Sequence, residues 1–173
     1  MHVAHGSLMW IGWLVFLPAG IFLAAHFKHL GVWWFRLHVI LQTTAIVIIA
    51  ASFILIVVTV NFSDAHFANT HTRLGLASVS LLAVTPILGI LANKLWKPER
   101  TSTPIFPDRI HLFFGYSTLL LAGVTLFYGL AQYGASRTIF GLVAAWDGLV
   151  LVIFFLLYTP QAKGKLQRNS NSH

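Results

Sequence analysis

Residues 71–95 read HTRLGLASVSLLAVTPILGILANKL. From Leu74 to Leu95 the run is apolar over the length a bilayer-spanning helix needs, about 20 residues. A transmembrane β-strand needs only about ten, so a barrel does not fit. The run opens on an imidazole, His71, with Gly75 one helical turn further on. The same device returns as HLFFG, His111–Gly115, at the head of a second apolar run, Ile110–Gln132. Three more runs of spanning length are Leu8–Phe27, Trp34–Val60 and Ile139–Tyr158. The expected fold is an all-α integral membrane protein, a bundle of five transmembrane helices.

Composition agrees. Of the 173 residues, 57% are hydrophobic and 9% charged, and the mean hydropathy is +0.79. Soluble domains carry about 25% charged residues, so this chain cannot cover itself with a polar surface. It contains no cysteine, which excludes disulfides, covalently attached c-type haem, iron–sulfur clusters and thiolate zinc sites. The net charge of +7 is spread between the apolar runs rather than gathered in one patch. It reads as a topology signal and not as a nucleic-acid surface. The opening MHVAHG lacks a basic leader and a cleavage site, so no removable signal peptide is expected. Pro18 and Pro86 fall inside two runs, where neighbouring helices can satisfy the backbone groups they release. Residues 1–160 are read as one transmembrane domain. Residues 161–173 are read as a polar, disordered cytoplasmic tail.

Five spans put the termini on opposite sides of the bilayer. The N-terminal side carries Arg73 and Arg137. The other side carries Lys28, Arg36, Lys94, Lys97, Arg100, Arg109, Lys163, Lys165 and Arg168. The excess of lysine and arginine on the C-terminal side makes that side cytoplasmic and the N-terminus extracytoplasmic. The membrane is then a plasma membrane or an endomembrane.

Nine histidines are many for so apolar a chain. His5, His38, His71 and His111 lie at or near the starts of four successive runs. Successive helices alternate in direction, so His5 and His71 fall toward the N-terminal side, and His38 and His111 toward the cytoplasmic side. Parity alone thus sorts the four into two pairs, one near each face. Two imidazoles facing each other suit a haem iron with both axial positions filled, which favours electron transfer over oxygen chemistry. Residues i and i+4 share a helix face. Gly75 and Gly115 then remove the side chain where a porphyrin would press. The equivalent residue after His38 is Gln42, which can hydrogen-bond instead. Arg36, Arg73 and Arg109 stand two residues from ligand candidates and can neutralise propionates. The site expected is a four-helix core holding two non-covalent b haems. His26 and His29 read as interfacial, and His2, His66 and His173 as loop or terminal residues.

The segments AHGSLMWIGW (4–13), WFRLHVILQ (34–42), NTHTRLG (69–75) and RIHLFFGY (109–116) resemble the cytochrome b561 family. The resemblance is closest to the membrane part of ferric-reductase-like members in which an extracellular DOMON domain comes first. It covers Ala4 to about Leu130. It implies two b haems, with His5 paired to His71 and His38 to His111. It also implies electron flow from a small cytosolic donor, ascorbate among the candidates, to an extracytoplasmic acceptor. That acceptor is monodehydroascorbate, a ferric chelate or the haem of a DOMON domain. In the first two cases the chain acts as a transmembrane ferric or monodehydroascorbate reductase.

Asp147 lies mid-run in AAWDGLV, where an acid costs about 2.5–3.5 kcal/mol to insert. It reads as a neutral acid hydrogen-bonded to a neighbouring helix. The six tryptophans read as an aromatic belt. Lys94, Lys97, Arg100 and Arg109 form a basic cytoplasmic loop able to receive an anionic donor. Two other functions compete. One is a haem-anchoring subunit of a larger redox complex. The other is a histidine-lined divalent-metal transporter, which is disfavoured because Asp64, Glu99, Asp108 and Asp147 are the only acids and such cations recruit carboxylates. A second copy of the chain is a candidate partner beside the lipid bilayer.

Overall fold

The computed structural model describes residues 1–60, 67–97 and 103–170, with side chains to residue 154. Asp64, His66, Glu99, Arg100 and His173, and the side chains of Lys163, Lys165 and Arg168, lie outside the described part. Among the described residues there is no β-strand. Five helical segments among the described residues are long and apolar enough to cross a membrane: His2–His26, Val32–Thr59, Thr70–Lys94, Ile105–Tyr133 and Arg137–Phe154. The chain is an integral multi-pass membrane protein.

The first span is built from α1 (His2–Ile11), a π-helical turn (Gly12–Phe16) and α2 (Leu17–His26). In the π-turn the Leu17 N–H reaches back five residues to the Gly12 carbonyl. The turn directly precedes Pro18, which has no N–H and whose ring crowds the carbonyl four residues earlier. That carbonyl, of Leu14, accepts a 2.7 Å bond from the Trp146 indole Nε1 of the last span. The carbonyl of Leu17 accepts from Gln42 Nε2 at 3.1 Å. The break in the first span therefore supplies acceptors that tether two other helices.

The remaining spans are α3 (Val32–Thr59), α4 (Thr70–Lys94), α5 (Ile110–Tyr133, entered through a kink at Phe106, φ −107°, ψ 135°) and α6 (Arg137–Ser170). Asn69 caps α4, its side chain accepting from the Thr72 N–H at 3.0 Å. Gly134, at φ 71°, closes α5. There the Gly134 N–H bonds the Ala131 carbonyl and the Ala135 N–H the Leu130 carbonyl, a Schellman ending.

The core is thin and runs along the seams of the first four spans. Met9, Trp13, Leu14, Leu17, Ala45, Ile49, Leu82 and Ala122 form it. Ser52, Ser78, Thr118 and Thr125 are buried with them. Large apolar side chains such as Val39, Ile54, Val84 and Leu120 point outward, the pattern lipid requires. Small and hydroxyl residues at the seams let the helices approach closely, as in lipid-embedded bundles generally.

Three expectations change. The tail does not leave the helical state at 161, since α6 continues to Ser170. Ala162, Lys163, Lys165, Leu166, Gln167 and Arg168 are good helix formers, and polarity alone does not end a helix. The tryptophans are not one belt. Trp33 and Trp96 are exposed, but Trp13 is only 3% exposed, and Trp10 packs on Trp146 at 5.8 Å between ring centres. Asp147 faces Gly123 of α5 but has no hydrogen-bond partner among the described residues.

Candidate functional site

His5, His38, His71 and His111 are all half-buried, and each side chain crosses to a neighbouring helix. His5 Nδ1 lies 3.1 Å from the Ser52 carbonyl oxygen. His38 Nδ1 lies 2.8 Å from that of Gly20. His71 Nδ1 lies 3.0 Å from that of Thr125, and His111 Nδ1 lies 3.0 Å from that of Thr85. A carbonyl only accepts, so each Nδ1 must be the protonated nitrogen. Each Nε2 is then left with a free lone pair, the form in which imidazole binds a metal. Ser52 adds a clamp, because its Oγ donates to the His5 carbonyl at 3.1 Å and lies 3.0 Å from His5 Nδ1.

The clasps tie the spans into two antiparallel pairs, first with second and third with fourth. Within each pair every histidine reaches the far end of its neighbour. His38 and Ser52 are fourteen positions apart on α3, as are His71 and Thr85 on α4, and His111 and Thr125 on α5. At 1.5 Å per residue this separates the two histidine levels by about 20 Å. In the first span His5 and Gly20 are fifteen positions apart. The π-turn between them takes up the additional residue.

Between the helix pairs, the His5 and His71 rings stand 6.4 Å apart at centres and nearly perpendicular, at 81°. Metal–imidazole bonds run about 2.0–2.1 Å, so two rings in trans on one metal hold their centres roughly 6 Å apart. The observed spacing is of that size. No group of three or more His, Cys, Asp or Glu gathers among the described residues. Two imidazoles alone do not complete a tetrahedral or octahedral shell, but they do complete an iron already held by a porphyrin. The donor set fits haem b.

The other expected site residues are placed as follows. An added Cβ at Gly115 would meet nothing within 4 Å, and at Gly75 only Thr125 Cγ2 at 3.8 Å, so protein packing does not demand glycine at either. Gln42 is turned to the Leu17 carbonyl and packs on Gly20. Arg36 lies over the Trp33 ring at 5.3 Å. Arg73 Nε donates to the Phe67 carbonyl at 3.0 Å. Arg109 is exposed at the head of α5. The arginines remain at the levels of their neighbouring histidines without converging on them.

The acceptors themselves, at Gly20, Ser52, Thr85 and Thr125, were not foreseen. Neither were Gly89 and Gly129, against which the His111 and His71 rings lie. A signal existed: TPILG (85–89) and TLFYG (125–129) both read Thr-x-x-x-Gly. They lie on the helices facing the histidines rather than on the histidines' own.

A helical membrane bundle in which four imidazoles reach across to neighbouring helices through Nδ1, in a chain without cysteine, has the donor set of a b-type membrane haem protein. The family model described as "Eukaryotic cytochrome b561" matches residues 4–137, and the chain belongs to the cytochrome b561 family. Membership of that family implies haem b and, in general terms, electron transfer across a membrane. The chain is 29% identical over 136 residues to a cytochrome b561, DM13 and DOMON domain-containing protein of Arabidopsis thaliana, covering 75% of this chain and 14% of that one. A second Arabidopsis thaliana protein, a cytochrome b561 and DOMON domain-containing protein, is 29% identical over 135 residues, 76% of this chain and 35% of the relative. Ferric-chelate reductase 1 of Homo sapiens is 25% identical over 136 residues, 73% of this chain and 22% of the relative. The chain thus matches about a third or less of the length of these relatives. No solved structure matches it.

Proposed function

We propose that the chain holds two b haems, one between His5 and His71 and one between His38 and His111, and passes electrons between the faces of the membrane. The observation that carries this reading is the common state of the four imidazoles. Each is anchored through Nδ1 to a carbonyl of a neighbouring helix, so each Nε2 is free. The 6.4 Å spacing of His5 and His71 supports the outer pair. Haem iron supplies one-electron Fe(III)/Fe(II) chemistry without proton transfer to the protein.

The chain's own residues do the rest. The four imidazoles would hold the two haems and leave no position open for oxygen. Gly75 and Gly115 leave open space one turn beyond His71 and His111. Arg36 and Arg109 place positive charge beside the His38/His111 level, and Arg73 does so beside His71. The apolar bundle between the levels excludes water and competing reactions.

The cytoplasmic face is the one bearing the C-terminus, on the lysine and arginine bias. The donor is a small cytosolic reductant, with ascorbate the first to test. The acceptor lies on the N-terminal side. The name of the human relative points to a ferric chelate, and those of the plant relatives to a DOMON partner. Oriented proteoliposomes test this. Reductant offered at the C-terminal face should reduce an impermeant ferric chelate enclosed at the other. His38→Ala should slow electron entry, whereas His71→Ala should leave entry intact and block delivery. The rate with an anionic donor should fall as salt rises, because exposed charges are screened. Reduction that proceeds only in the opposite direction would reverse the proposed orientation.

A further inference from the structure

We propose that Gly89 and Gly129 are positioning residues. Each provides the flat backbone surface that seats the imidazole of His111 or His71, and so sets the properties of one iron without touching it. The inference rests on the reading of the four histidines as iron ligands.

The geometry is specific. A Cβ built on Gly129 falls 2.8 Å from His71 Cε1 and 3.1 Å from its Nδ1. A Cβ built on Gly89 falls 3.0 Å from His111 Cε1 and 3.4 Å from its Nδ1. One turn earlier on the same helices stand Thr125 and Thr85, whose carbonyls hold those Nδ1 atoms. Each Thr-x-x-x-Gly unit is therefore a two-part seat: a carbonyl fixes the tautomer and a bare Cα lets the ring come close enough to reach it. The threonine side chains are used elsewhere. Thr125 Oγ1 donates to the Leu121 carbonyl at 2.7 Å and lies 3.3 Å from Ser78 Oγ, while Thr85 Oγ1 donates to the Leu81 carbonyl at 2.8 Å.

A methyl group at Gly129 forces the His71 ring to shift, and one at Gly89 presses the His111 ring by a few tenths of an ångström, so each Nδ1–H···O=C bond is strained or lost. A free side chain yields cheaply, but a ring bonded to iron does not. Loss of the Nδ1–H···O=C bond makes the imidazole a poorer electron donor to the metal, which disfavours the ferric state and raises the potential. Partners of this kind typically change metal retention by about 10–100-fold. The closer approach at Gly129 predicts the larger effect there.

The test uses the full haem-loaded chain in detergent, with redox titration, electron paramagnetic resonance of the oxidised form and haem retention as readouts. Gly129→Ala should raise the potential and shift the resonance of the His5/His71 iron alone, with haem lost about tenfold or more readily. Gly89→Ala should do the same, more weakly, to the His38/His111 iron alone. Gly141→Ala on α6, where an added Cβ meets nothing, should change neither. Alanine favours helix over glycine, so a purely structural role would show as raised stability with unaltered irons. Two haems indistinguishable from wild type in both glycine variants would overturn the inference and leave the ligand reading standing. Both irons shifting together in either variant would overturn it as well. A wild-type chain that carries no haem would overturn the ligand reading itself.

Discussion

His71 and Thr125 are joined across two helices by a single hydrogen bond, imidazole Nδ1 to backbone carbonyl, at 3.0 Å. A bond to the main chain survives any side-chain substitution at Thr125. It also fixes the orientation of the His71 ring through the main chain rather than through a side chain. His5 differs in having a side-chain contact as well, through Ser52.

That difference sets a prediction. Ser52→Ala removes the Oγ contacts with His5 and leaves the Ser52 carbonyl in place. A net loss of about 1 kcal/mol is expected for the hydrogen bonding removed. The outer haem should remain bound with a small change in potential. Thermal unfolding and redox titration check this; complete loss of the outer haem would show that the hydroxyl, not the carbonyl, holds His5.

Trp146 is expected to matter for stability rather than for haem. Pro18 deprives the Leu14 carbonyl of its helical donor, and the Trp146 indole replaces it. Trp146→Phe keeps a ring beside Trp10 and leaves the carbonyl unpaired, at a cost of about 1–3 kcal/mol. In a Pro18→Ala background residue 18 regains an N–H, so the same substitution should cost less, a coupling that a double-mutant cycle measures. An equal loss in both backgrounds would contradict the account of the broken first helix.

Much of this was legible in the sequence. Lengths of apolar runs predict the five spans, and alternation of direction places His5 and His71 toward one face, where their rings stand 6.4 Å apart. The His71–Gly75 and His111–Gly115 spacings drew attention to the glycines on the histidines' own helices. The glycines against which the rings lie, Gly89 and Gly129, sit on other helices, where only the packing reveals them. The π-turn was hidden for a related reason. Pro18 stands inside the first run, but whether a proline kinks a helix or inserts a residue depends on the partners its neighbours offer. Here Trp146, 132 positions from the Leu14 carbonyl it bonds, completes the arrangement. The inward tryptophans were misjudged because a belt residue and a core residue have the same composition.

Gly75→Leu and Gly115→Leu test the space beyond the ligands. Neither position is crowded by protein, since the nearest atom to an added Cβ is at 3.8 Å for Gly75 and beyond 4 Å for Gly115. The helices should therefore still insert and fold. Each variant should weaken only the haem on its own level, read by haem content and difference spectra. Full occupancy with unchanged spectra in both would assign these glycines to lipid or helix packing.

The central claim is two haem irons, each held by one histidine from each helix pair. Its most direct measurement is the haem-to-protein ratio of the purified chain by pyridine haemochrome assay, taken with the low-spin spectra of the four single His→Ala variants. The account predicts about two non-covalent b haems per chain, extractable by acid and acetone because the chain has no cysteine. His5→Ala and His71→Ala should abolish the same spectral component, and His38→Ala and His111→Ala the other. One haem in the wild type, or a His5→Ala spectrum matching that of His38→Ala, would contradict it.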